Sequence, residues 1–163
     1  MNITLIGMSG AGKSHVGREL AEKLTLQFFD IDDAMEARYK KPLQQILNEL
    51  GEDAFIKEEE ALLLSMAHTE SLVISPGGSV IYSDSAMNHL KRFSTILFLD
   101  IPCAVIEARI DVTSRGIVGL KNKTFAELFE ERRPLYLKWA DHRVTSEISI
   151  KEMIALSKVK NRS

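Results

Sequence analysis

The chain has 163 residues, 45% of them apolar, a formal charge of −2 and one cysteine, Cys103. That size suits one domain with one core, and a single cysteine excludes an internal disulfide. Near-neutral charge argues against a nucleic-acid binder, which carries a basic excess or stripe, and no run reaches the ~18 apolar residues of a membrane helix.

Residues 1–7 read as a strand, Asn2-Ile3-Thr4-Leu5-Ile6 being its buried part. No basic segment precedes it, so no signal peptide is expected and a cytoplasmic protein is. A monomer is the working expectation, although no residue pattern bears on oligomeric state. A glycine-rich turn follows, then a helix over 13–24 with Val16, Leu20, Ala21 and Leu24 at helical spacing. Gln27-Phe28-Phe29 is a short strand ending in acids. The pattern over 33–68 is helical, broken near Pro42 and Gly51, and its length between two strands suits a substrate-binding insertion. Leu72-Val73-Ile74-Ser75 is a third strand, stopped by Pro76-Gly77-Gly78, and Thr95-Ile96-Leu97-Phe98-Leu99 is a fourth. A helix is expected near 104–110, with Cys103 as a buried packing residue. The stretch 111–123, with Gly116 and Gly119, reads as a mobile loop. Thr124-Phe125-Ala126-Glu127 and Ser149-Ile150-Lys151-Glu152 are capping boxes that open two helices, with a short last strand at His142-Arg143-Val144-Thr145 between them. Alternation of strand and helix implies an α/β fold with a parallel sheet.

Gly7-Met8-Ser9-Gly10-Ala11-Gly12-Lys13-Ser14 satisfies G-x-x-x-x-G-K-[ST], between a strand and a helix as that motif requires. The glycines let the backbone curl so that N–H groups point inward at phosphate, and the following helix adds its positive end. Lys13 reaches toward the β- and γ-phosphates, and Ser14 offers a hydroxyl to Mg²⁺. Asp30-Ile31-Asp32-Asp33 closes the second strand at the ligand edge of such a sheet. Alternation along an extended chain puts Asp30 and Asp32 on one side. One acid then suits Mg²⁺ and the other a substrate hydroxyl, as base or as positioning group. The alternative is that Asp32 or Asp33 caps a helix.

Lys13-Ser14, Phe29-Asp30-Ile31-Asp32, Gly51-Glu52-Asp53-Ala54-Phe55, Gly77-Gly78 and Arg132-Arg133-Pro134-Leu135-Tyr136 occur in the order and spacing of the shikimate kinases, and the resemblance spans nearly the whole chain. It implies a three-layer α/β/α fold on a five-stranded parallel sheet of the nucleoside monophosphate kinase type. The P-loop core would be 1–32, 69–110 and 124–163, with substrate-binding helices over 33–68 and a lid over 111–123. The activity implied is transfer of the ATP γ-phosphate to the 3-hydroxyl of shikimate, in aromatic amino acid and chorismate biosynthesis. By position, Gly10, Ala11, Gly12, Lys13, Ser14 and His15 would wrap the ATP phosphates. Ser14 and Asp30 would serve Mg²⁺, and Asp32 would hold the reacting hydroxyl and act as base. Gly77 and Gly78 would line the substrate, Arg132 would pair with its carboxylate, and Arg115 would close over the phosphates. Pro134, directly after the two arginines, is expected to end or kink their helix.

Departures cluster on the substrate side. The family pattern has an arginine after Phe55 that grips the carboxylate; this chain has Ile56. Lys57 is next, but a helical neighbour points ~100° away. Ser79 stands in place of a third glycine, after Pro76, and Arg115-Gly116-Ile117-Val118 replaces Arg-Pro-Leu-Leu. On the nucleotide side only His15 differs, standing where threonine is usual. Two further readings follow: a kinase for a different small polyol or hydroxy acid, and a nucleotide-binding regulatory module. Lys13, Ser14, Asp30, Asp32 and Arg115 argue against the second, because a pure binder needs neither base nor lid arginine. A guanine-specific switch is discounted, since Asn122-Lys123-Thr124-Phe125 lacks the aspartate of N-K-x-D.

Overall fold

The computed structural model describes residues 1–66, 71–112 and 115–159. Five parallel strands, β1 (Ile3–Ile6), β2 (Gln27–Asp30), β3 (Leu72–Ser75), β4 (Thr95–Leu99) and β5 (His142–Val144), lie in the order β2-β3-β1-β4-β5. β1 and β4 are buried along their whole length, which explains why each is apolar but for one threonine. Helix α1 (Lys13–Leu24) packs on β1, β2 and β3 and touches α8 (Ile150–Ser157), which packs on β4. The other helical layer carries α5 (Asp84–Phe93) and α7 (Phe125–Trp139), which meet at a 3₁₀ turn, Gly78–Tyr82. This is the three-layer α/β/α arrangement expected. Because the chain lays β2 and β3 on one side of β1 and then crosses to lay β4 and β5 on the other, a crevice opens at the carboxyl end of β1, where the glycine-rich turn sits.

Between β2 and β3 run α2 (Ile31–Tyr39), α3 (Leu43–Leu50) and α4 (Glu52–Ser65), divided at Pro42 and Gly51 as the sequence suggests. The expected end of this helical stretch, 67–68, lies outside the described residues, as do 69–70, 113–114 and 160–163 of the expected core and lid. Both capping boxes form, at Thr124–Glu127 and at Ser149–Glu152.

Several expectations need correction. α2 begins at Ile31, so Asp32 sits in its first turn and not on extended chain; Asp30 is the N-cap and accepts a hydrogen bond from Asp32 N at 3.0 Å. Pro134 neither ends nor splits α7, which runs on to Trp139. Pro134 is exposed, so the carbonyl one turn earlier that loses its N–H partner can be hydrated. No element is expected between 79 and 94, yet α5 forms there, capped by Ser83 Oγ accepting from Ala86 N at 3.0 Å and buried through Ala86, Met87 and Leu90. The helix expected over 104–110 is the shorter α6 (Cys103–Glu107), and Cys103 is half-buried.

The loop expected to be mobile lies closed over α3 and α4 where it is described. Ile117 and Val118 are buried, Gly116 N donates to Gln44 Oε1 at 2.9 Å, and Gly119 N donates to Glu52 Oε1 at 2.8 Å. Gly116 has φ +63°, and a Cβ there would lie 2.8 Å from the Leu43 carbonyl carbon. Proline cannot reach that φ, which accounts for glycine where the family pattern has proline.

Candidate active site

The glycine-rich turn curls as its composition requires. Gly10 and Gly12 have φ of +82° and +96°, and a Cβ on Gly10 would fall 2.3 Å from Ile110 Cγ2. Lys13 opens α1 and is buried; its Nζ donates to Gly7 O at 2.9 Å and Met8 O at 3.0 Å. An ammonium has three donors, so one remains to meet a phosphate oxygen. Burial pushes the Lys13 pKa down, opposed by the attraction of Asp32 and Asp30. Ala11 is buried and spends its N–H on Met8 O at 3.1 Å.

A cavity of about 340 Å³ opens over this loop, lined among others by Gly10, Gly12, Lys13, Ser14, His15, Asp32 and Arg115. Ser14 Oγ donates to Asp30 Oδ2 at 2.5 Å. Asp30, buried at the end of β2 beside Ser75, therefore ties the P-loop to the start of α2. Arg109 and Ser75 also line the cavity and were not expected. The signal for Arg109 is positional: it follows β4, whose carboxyl end flanks the phosphate loop in any fold with this strand order.

A second, smaller pocket lies beyond Asp32, which borders both. Its walls come from α2, α3, α4, the Gly77-Gly78-Ser79 turn, the loop residues Gly116, Ile117 and Val118, and Arg132. With Ile117 and Val118 packed down, the free space is about 10 Å³, close to the room for a single water. A Cβ on Gly78 would lie 3.0 Å from Arg132 Nη1 and 3.4 Å from Tyr136 Oη. Tyr136, fully buried, donates to Gly78 O at 2.6 Å and stacks on Phe98 with ring centroids 5.1 Å apart, so it fixes the glycine backbone against the pocket. Arg132 is 1% exposed, far from the solvated arginine its position in a charged helix suggests. Its Nη2 donates to Val118 O at 2.7 Å and its Nε to Tyr82 Oη at 3.4 Å. Among the described residues no carboxylate stands within ion-pair distance of it.

Two acids face the same space. Asp32 is half-buried, and burial pushes its pKa up to about 6 against the pull of Lys13. Glu59, 3% exposed, was not expected at the site. Its spacing was visible: Phe55, Glu59 and Leu63 recur every fourth residue and are the buried face of α4. Burial and the Asp32 charge push the Glu59 pKa up to about 7, and Ser79 Oγ donates to its Oε2. A Cβ on Gly77 would lie 2.0 Å from Glu59 Oε1 and 3.2 Å from Asp32 Oδ1, so only glycine fits between the two carboxyls. Ile56 is half-buried and Lys57 points to solvent, so neither replaces the missing arginine.

Arg133, beside Arg132, faces the other way. Its Nε and Nη2 meet Asp100 at 3.0 and 2.8 Å, and Arg143 Nε meets the same carboxylate at 2.5 Å. Burial alone would raise the Asp100 pKa, but the two guanidinium groups outweigh it and hold it below the ordinary range. A lowered acid pKa stabilises the fold above the ordinary aspartate range and loses that contribution as pH falls. Both arginines are partly exposed, so Asp100→Ala should cost about 1–3 kcal/mol, read as a shift in urea midpoint that shrinks below pH 4. An unchanged midpoint would mean that this junction of α7, β4 and β5 does not anchor the helix carrying Arg132.

Among the described residues no helix is long and apolar enough to cross a membrane. A family model for shikimate kinase matches residues 9–161. The shikimate kinase of Aquifex aeolicus is 36% identical over 155 residues, 94% of this chain and 92% of that one. That of Persephonella marina is 35% identical over 147 residues, 90% and 89% of the two chains. In structure, the shikimate kinase from Acinetobacter baumannii in complex with shikimate is similar with a TM-score of 0.82 and 28% identity, over 94% of this chain and 88% of that one. With a family model spanning almost all of it and relatives matched nearly end to end, the chain belongs to the shikimate kinase family.

Proposed function

We propose that this phosphotransferase moves the γ-phosphate of ATP onto the 3-hydroxyl of shikimate. One observation supports the acceptor above the others: Arg132 is buried with no carboxylate partner among the described residues, across a small pocket from Asp32, which also borders the phosphate cavity. The Arg132 side chain gives its N–H groups only to neutral oxygens, of Val118 and Tyr82, and an acceptor carboxylate offers it a directly hydrogen-bonded anion. That puts a hydroxyl at the other end of the acceptor beside Asp32, in line with the phosphate.

In this reading residues 10–15 hold the ATP phosphates, with Lys13 giving its free N–H to the β- and γ-oxygens. The Ser14 hydroxyl and the Asp30 carboxylate are the oxygen donors that Mg²⁺ prefers, with waters and phosphate oxygens completing its shell. Bound there, the ion offsets charge on the phosphates. Asp32 orients the attacking hydroxyl and accepts its proton, while Gly77 and Gly78 border the acceptor. Helices α2, α3 and α4 and the loop residues Gly116, Ile117 and Val118 enclose it, and Arg115, at the phosphate cavity, meets the transferring group. Closure keeps water from competing as acceptor.

The test is ADP release with Mg²⁺ and ATP, with and without shikimate: turnover that requires shikimate supports the reading, and turnover with only another polyol replaces the acceptor. A second test uses Ile56. It precedes Glu59 by three residues on α4, one turn away on neighbouring surface. Ile56→Arg should lower KM for shikimate roughly ten- to a hundredfold, the ~1.5–3 kcal/mol of one charge-assisted contact. An unchanged KM would mean that the acceptor carboxylate does not come near position 56.

A further inference from the structure

The acceptor pocket holds more acid than base. On its walls Arg132 faces two carboxyls, Asp32 and Glu59, which flank Gly77. The two acids are not equivalent. Asp32 is half-buried, near Lys13 and open to the phosphate cavity. Glu59 is sealed at the back of the pocket, and its hydrogen-bond partner is the neutral hydroxyl of Ser79. Arg132 already gives N–H groups to Val118 O and Tyr82 Oη.

The surroundings of Glu59 offer no other close cation among the described residues. α1 presents Lys13, which is engaged with Gly7 O and Met8 O. α2 presents Asp32, the turn before α5 presents Ser79, and α7 presents Arg132 and the Tyr136 hydroxyl. On α4 itself Glu58 lies toward Arg38 and Glu60 accepts from Ser83 Oγ, while His89 of α5 meets Met66 O at the far end of the helix. Bringing a third negative charge into this space leaves one acid without compensation, and a buried carboxylate in that position neutralises itself by taking a proton.

We infer that Glu59 is a specificity-determining residue that takes up a proton as an anionic acceptor binds, so that a pocket with the single arginine Arg132 can admit a carboxylate. The inference rests on the proposed acceptor class. The proton comes from solvent and goes to a Glu59 carboxylate oxygen; no other bond changes. Ser79 and Ile56 belong to one device: the hydroxyl gives the acid a neutral partner where no arginine supplies a charged one. The burial that raises the Glu59 pKa to about 7 sets uptake near neutral pH.

The experiment is calorimetric titration of shikimate into the Mg²⁺–ADP form of the protein at pH 7.5, in two buffers of different ionisation heat. Wild type should take up between about half and three-quarters of a proton per shikimate, and affinity should fall by up to about tenfold per pH unit above neutrality. Glu59→Gln, neutral at every pH, should bind without uptake, and Ile56→Arg, which gives Glu59 a cation, should reduce it. Wild-type binding without proton uptake overturns the inference, with no variant needed. Uptake that persists in Glu59→Gln overturns it too, by moving the proton to Asp32. No shikimate binding at any pH sinks the acceptor reading and this inference with it.

Discussion

Asp32→Asn is expected to lower kcat by at least ~100-fold, the usual loss when a positioned base is removed, while ATP affinity stays near wild type. Asparagine keeps the size of the side chain and its place in the first turn of α2, so the change is confined to the proton-accepting oxygen. The pH profile carries the sharper test. Burial raises the Asp32 pKa to about 6. As the base form is the deprotonated one, wild-type kcat/KM should rise with pH through about 6. In Asp32→Asn that limb should be absent from whatever rate remains. A near-wild-type rate, or an unchanged acid limb, would take the base role away from Asp32.

What the sequence makes legible follows from how local each cause is. The P-loop needs only its own glycines, its lysine and the strand and helix around it, so residues 7–14 could be read directly and the structure curls them as expected. The capping boxes at Thr124 and Ser149 are equally local. The acid pair at 30 and 32 was found for a partly wrong reason. Strand alternation suggested one side, whereas Asp30 caps the helix in which Asp32 lies, and the cap aims one acid at Ser14 and the other at the acceptor pocket.

Long-range features were less visible. Glu59 lies among charged neighbours, Ile56-Lys57-Glu58-Glu59-Glu60, and composition alone would put it in water. Its burial depends on the 3₁₀ turn after β3, and α5 behind it, arriving to cover α4. Likewise nothing near Arg132 announces that Val118 from one segment and Gly78 and Tyr82 from another close over it. Ile56, Ser79 and Gly116 look like isolated departures in sequence. In space they group: Ser79 serves the acid one turn from Ile56, and Gly116 lets the lid fold onto α3 above the same pocket.

Lys13→Met is expected to cost at least ~100-fold in kcat, typical of losing one preorganised electrostatic group at a transferring phosphate. Two effects separate within it. The first is direct: the third N–H of the ammonium no longer meets charge developing on the γ-phosphoryl oxygens, which lowers kcat at every pH. The second passes through Asp32, whose pKa Lys13 holds down more than any other neighbour does. Without that cation Asp32 keeps its proton to higher pH, so the acid limb of the residual rate should move above pH 6. This shift sets the two variants apart, since Asp32→Asn removes the limb and Lys13→Met displaces it. A pH–rate profile of Lys13→Met with the limb left in place would show that the lysine does not set the charge state of the base. The loop should still fold, because methionine fills much of the same space and removing a buried cation relieves its own desolvation. Thermal unfolding of the variant near the wild-type temperature would then assign the lost rate to chemistry and not to a collapsed phosphate cradle.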